Sequence, residues 1–124
     1  MSKLFIVLLM IFCHIIDDYC LQGILASMKQ RSWWQKNAPQ KLYRHDHIMA
    51  LAMHGFSWTF MVMLPIAAYM GFAPSPLFYF SFATNWFAHS FIDHLKANVQ
   101  KINLVTDQTC HIIQIIFTAV ALLG

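Results

Sequence analysis

Three stretches of this 124-residue chain set a histidine and an aspartate four positions apart: His14 and Asp18, His89 and Asp93, and Asp107 and His111. Residues separated by four lie on one face of an α-helix on successive turns. Each pair therefore projects an imidazole and a carboxylate in the same direction. A further stretch carries His47 and His54, seven apart and nearly eclipsed on a helix, with Ser57 one turn along the same stripe. Nitrogen and oxygen donors without thiolate suit zinc, and also manganese, iron or nickel. The expected metal ligands are accordingly His14, Asp18, His54, His89, Asp93, Asp107 and His111. Seven ligands exceed the four of one tetrahedral ion, which implies two ions or aspartates that orient histidines from behind. An open coordination position would activate water towards an ester, amide or phosphate, with Asp17, Asp93 or Asp107 as general base, Asp17 and Asp107 foremost.

The other polar groups read as support. Gln22, Asn85, Gln108 and Gln114 are expected to be interhelical hydrogen-bond glue. Asp17 and His94 fall off the faces of the pairs, which places them at an interface or behind the ligands. Cys13 and Cys20 lie about 10 Å apart along a helix axis and cannot bridge. With Cys110 they read as buried apolar fillers. There is no H-E-x-x-H helix, no serine nucleophile elbow and, with four glycines in all, no phosphate-cradling glycine loop. The substrate is not encoded in any motif.

These groups must be held by apolar elements, because 59% of the chain is apolar and only 10% is charged. A soluble domain carries about 25% charge. A solvated globule, a disordered tail and a nucleic-acid arm are thereby excluded. Each bilayer crossing needs about 20 apolar residues, and four apolar segments, about 4–26, 47–72, 77–95 and 104–123, fill residues 1–124 as a single transmembrane domain. The expected fold is all-α, an integral membrane four-helix bundle. Lys3 followed by an apolar run imitates a signal peptide, but no small-residue cleavage site follows, so the segment reads as a retained helix. The connection over 27–46 is basic and aromatic, and Pro39 makes a continuous helix there unfavourable.

Charge sets the expected direction. Five cations (Lys29, Arg31, Lys36, Lys41, Arg44) lie in the first connection and two (Lys96, Lys101) in the third, against Lys3 on the other face. The positive-inside rule then puts both connections in the cytoplasm and both termini outside, in a bacterial inner membrane. The net charge of +3 is thus a matter of orientation, with no nucleic-acid partner. Counted from the cytoplasmic helix ends, His14 is about 12 residues deep, His54 about 8, and His89 and His111 about 7, which at 1.5 Å per residue is a spread of one to two turns. The four helices should meet in one layer.

The ordered motifs H-I-I-D-D-Y-C-L-Q, A-M-H-G, H-S-F-I-D-H and D-Q-T-C-H resemble a family of small bacterial and phage membrane proteins, the domain of unknown function thirty-three-oh-seven, over nearly the whole chain. The resemblance marks His14, Asp18, His54, His89, Asp93, Asp107 and His111 as matching positions. It supplies no reaction, although the pattern is similar to that of inner-membrane metal-dependent hydrolases. The expected protein has a buried His/Asp centre for a divalent metal, zinc foremost, as one or two ions, and hydrolyses a membrane-proximal substrate. Two alternatives stand beside it: proton or metal-ion transport by an oligomer, and a non-enzymatic effector that binds a partner membrane protein. The lipid bilayer, a second copy of the chain and such a membrane protein are the expected partners.

Overall fold

The computed structural model describes residues 1–124 and is all-α, with six α-helices and no strand. Helix α1 (Lys3–Ile16) starts at Ser2, whose hydroxyl accepts the Phe5 N–H at 3.1 Å. It passes into a π-helical turn, Asp17–Leu21, and stops at Gly23, which has a left-handed φ of 55°. The short α2 (Leu25–Met28) and α3 (Arg31–Asn37) follow, and α3 ends ahead of Pro39, as the restriction on residues preceding proline demands. A 3-10 turn over Lys41–Tyr43 leads into α4 (Asp46–Tyr69), which carries Pro65 inside it. Helix α5 (Pro76–His94) has proline at its first position and Ser75 as its cap, then a second π-helical turn, Leu95–Val99, closed by Gln100 at a left-handed φ of 58°. Helix α6 (Leu104–Leu123) is capped by Asn103, whose Oδ1 accepts the Thr106 N–H at 2.9 Å.

Six helices replace the four expected segments. The first segment divides because the left-handed Gly23 ends it before α2. The basic connection is itself partly helical, and the Trp34 indole N–H donates to the Met28 carbonyl at 2.7 Å, folding α3 back onto α2. The four long helices form a ring in which α1 and α5 each pack against both α4 and α6. Helix α4 approaches α5 closely at Gly55, where an added methyl would overlap Ser90 Oγ and press on Trp86. Across the same contact, Ser90 Oγ donates to the Leu51 carbonyl at 3.3 Å and the Trp86 indole N–H to the Ala52 carbonyl at 2.8 Å.

The interior has two halves. Towards the chain termini it is apolar, built from Ile6, Met10, Trp58, Val62, Met63, Ile66, Phe78, Ile115, Ala119 and Leu123. Towards the basic connections it is polar, with His14, Asp17, His54, His89, Asp93, Asp107 and His111 all buried. Large apolar side chains such as Leu8, Phe12, Phe60, Phe80, Phe87 and Phe117 point outward. Three helical stretches, Lys3–Leu21, Lys41–Tyr69 and Leu104–Leu123, are long and apolar enough to cross a membrane. Helix α5 is not among them, since Ser81, Thr84, Asn85, His89, Ser90, Asp93 and His94 dilute its apolar character. The cysteines are free, and the expectation of burial fails at Cys20, which is exposed on the outer side of the first π-helical turn, while Cys13 and Cys110 are half-buried.

Candidate metal centre

Each long helix delivers side chains to the polar half. Helix α1 brings His14, and the π-helical turn after it brings both Asp17 and Asp18. A π-helical turn bonds i to i+5 and so holds an extra residue compared with an α turn. That shift of phase lets two successive carboxylates face inward. Asp17, expected to fall off the ligand face, is fully buried, and its Oδ1 accepts the Ser57 hydroxyl at 2.6 Å.

His54 of α4 stands in the middle. Its Nε2 is 3.1 Å from Asp18 Oδ1 and 3.3 Å from Asp93 Oδ2, while Nδ1 lies 3.6 Å from Asp17 Oδ2. Asp93 of α5 touches three imidazoles: Oδ2 is also 3.5 Å from His89 Nε2, and Oδ1 is 3.2 Å from His111 Nε2. Lys29 Nζ, from the end of α2, adds an ion pair to Asp93 Oδ2 at 2.9 Å. Asp107 of α6 has Oδ1 3.4 Å from His111 Nε2.

A brace of aromatic rings and hydrogen bonds holds these groups. The Trp58 indole stacks on His89 with centroids 4.2 Å apart, and His89 stacks on His111 at 4.1 Å. The Trp58 N–H donates to His14 Nδ1 at 2.8 Å. Because an indole only donates, His14 carries its proton on Nε2, which donates to Gln108 Oε1 at 2.9 Å. The Gln108 amide then donates to Asp107 Oδ2 at 2.9 Å. Both nitrogens of His14 are thus taken by hydrogen bonds in this arrangement, in which His14 braces the cluster.

The donor set fits a cation. His54 Nε2 faces Asp18 Oδ1 and Asp93 Oδ2, His89 Nε2 faces Asp93 Oδ2 and Asp107 Oδ1 faces His111 Nε2 at 3.1–3.5 Å. Yet His54, His89 Nε2, Asp18 Oδ1 and Asp107 Oδ1 make no aligned hydrogen bond, so these donors crowd one another in the interior, where imperfectly satisfied polar groups are costly. Two overlapping triplets place their ligand atoms within 4.8 Å of one another: Asp18, His54 and His89, and His89, Asp93 and His111. Of the seven expected ligands, five therefore converge. His14 and Asp107 flank them.

Of the polar groups expected as glue, Asn85, Gln108 and Gln114 join helices, whereas Gln22 bonds only the Asp18 carbonyl four residues before it. Gln114 Oε1 lies 3.0 Å from His111 Nδ1, its amide donates to Asn85 Oδ1 at 3.2 Å, and the Asn85 amide donates to Thr118 Oγ1 at 2.7 Å. His94 stacks on His47 with centroids 6.5 Å apart. Two contributors have no place in the spacing argument. Trp58 is four residues beyond His54 and shares its face, so helical periodicity could have found it. Lys29 meets Asp93 across 64 positions, and no local pattern signals that.

The family model described as a protein of unknown function, DUF3307, matches residues 4–123. The chain belongs to the DUF3307 family. The match runs from α1 to the end of α6, so every side chain of the cluster lies within the DUF3307 region, in agreement with the resemblance carried by the four motifs. No curated protein and no solved structure matches the chain significantly.

Proposed function

We propose that this DUF3307 member is a multi-pass protein of the bacterial inner membrane that holds one or two divalent metal ions, zinc foremost, and hydrolyses a membrane-proximal substrate. The observation that carries this reading is the convergence of ligand atoms from Asp18, His54, His89, Asp93 and His111 in two overlapping triplets, each within 4.8 Å. Helix bundles build metal sites in this way, from His and carboxylate side chains on facing helices. Ionisable groups at membrane depth are costly unless paired, solvated or ligating, and here they are shielded behind an apolar exterior.

Each residue then has a task. Asp18, His54, His89, Asp93 and His111 ligate. Asp17 stands behind His54 and, fixed by Ser57, orients its ring, as carboxylates do behind metal-ligating histidines. His14 and Gln108 hold Asp107, whose free oxygen faces the ligand groups and makes it the better placed of the expected bases. A divalent ion in such a site supplies Lewis acidity and an activated water at neutral pH. Transport through a single bundle is less well supported, because the apolar half from Ile6 to Leu123 blocks the route towards the termini.

The deciding experiment is metal analysis of the purified full chain in detergent. One to two equivalents of zinc or another divalent metal are expected in the unaltered protein. A preparation that stays free of metal after incubation with zinc, manganese, iron and nickel would overturn the proposal.

A further inference from the structure

A cavity of about 370 Å³ opens on the side of the basic connections, with Gln22, Lys29, Gln30, Lys96 and Gln100 on its walls and Asp93 within it. Its volume falls in the range of small-molecule sites. Its position matters more than its size, because Asp93 is nearly buried and belongs to one of the two ligand triplets. The cavity therefore reaches the cluster from outside.

The walls have a definite chemistry. The lining holds two lysines and a single carboxylate: Lys29, its side chain 14% exposed, is ion-paired with Asp93, while Lys96 makes no ion pair. Gln22 Oε1 is buried without a partner, while its amide is used on the Asp18 carbonyl. A donor on a ligand would satisfy that oxygen. Asn98 fixes the geometry, since its Oδ1 accepts the Arg31 N–H and its amide donates to the Lys29 carbonyl at 3.0 Å, tying the α2–α3 link to the second π-helical turn. The lining contains no arginine, so an anion there meets ammonium groups alone. Lysine binds phosphate as a point charge from any direction.

We propose that this cavity is the substrate entrance and binds a phosphate group bearing a neighbouring hydroxyl, supplied by a lipid headgroup or by a soluble phosphate ester. Lys96 and Lys29 hold the phosphate oxygens, and Gln22 accepts from the hydroxyl. This assignment rests on the reading of the cluster as a metal centre. It adds to that reading the identity of what arrives there.

The test uses the full chain in phosphatidylcholine nanodiscs with one equivalent of zinc. Inorganic phosphate and glycerol 1-phosphate are the probes, calorimetry is the readout, and metal content is measured on the same samples. The unaltered protein is expected to bind phosphate, and Lys96→Gln and Lys29→Gln should each weaken binding about tenfold, the loss of one charge-assisted hydrogen bond, with zinc retained. Tighter binding of glycerol 1-phosphate than of inorganic phosphate is expected from the hydroxyl contact with Gln22, and equal binding overturns that contact. Competition from phosphatidylglycerol added to the nanodiscs assigns a lipid headgroup as source, and its absence assigns a soluble ester. Failure of the zinc-loaded protein to bind either probe, or binding indifferent to both lysine changes, overturns the assignment. Absence of zinc defeats the metal centre instead. Phosphate binding that is nevertheless lost in Lys96→Gln would then leave the cavity assignment standing, and no binding would overturn both.

Discussion

His89 belongs to both ligand triplets and also forms the middle of the ring stack between Trp58 and His111. His89→Ala is therefore expected to abolish metal binding, whereas Asp17→Asn, which changes only the group behind His54, should weaken it about 10–100-fold and leave the fold intact. Titration of both variants with zinc distinguishes them, and equal loss in the two would contradict the roles given to them. The indole of Trp58 offers a second test. Trp58→Phe keeps an aromatic ring for the stack but removes the only donor to His14 Nδ1, and should cost about 1–3 kcal/mol, the penalty of an unsatisfied buried acceptor, measurable as a lower melting temperature. Much of this site was legible in the spacing of residues. The four-residue interval of each His–Asp pair survives in the structure because it is a property of the helix, whatever packs against it. The inward turn of Asp17, the bracing role of His14 and the ion pair of Lys29 were not legible, since each depends on a partner from another helix or on a local change of helical phase.

At the scale of elements, the two π-helical turns sit where α1 and α5 end and the site begins. Each places one more residue per turn than an α-helix would, and such extra residues recur at functional sites. The positions of the long helices follow closely from apolar runs and caps, with Ser2, Ser75 and Asn103 marking three of the starts. The division of the first segment did not, because a run of apolar residues does not reveal that Gly23 will adopt a left-handed φ. The α4–α5 contact is the one most exposed to a small change. Gly55→Ala would force its new methyl onto Ser90 and Trp86, and overpacking of this kind costs about 1–3 kcal/mol. A melting temperature unchanged by that substitution would show that the two helices are not held as closely as described.

The whole molecule is arranged with polar groups inside and phenylalanines outside, which is the arrangement that a lipid solvent favours. Its charge is equally asymmetric, with seven of the eight lysines and arginines in the connections at the polar end. Reporter fusions at residue 124 are expected to give a signal outside the cytoplasm, and fusions within 29–46 a signal inside it. A cytoplasmic readout at residue 124 would reverse the orientation and with it the side from which the site is reached.

The ion pair between Lys29 and Asp93 also bears on how the chain is made. Asp17 and Asp18 emerge from the ribosome early, yet His54, His89 and His111 all follow later, as does the carboxylate that Lys29 will meet. At about 5–20 residues per second, the first helix is complete several seconds before the groups that meet its two carboxylates. Closure of the polar cluster is then a late event in the making of the chain, completed only when α6 closes the ring.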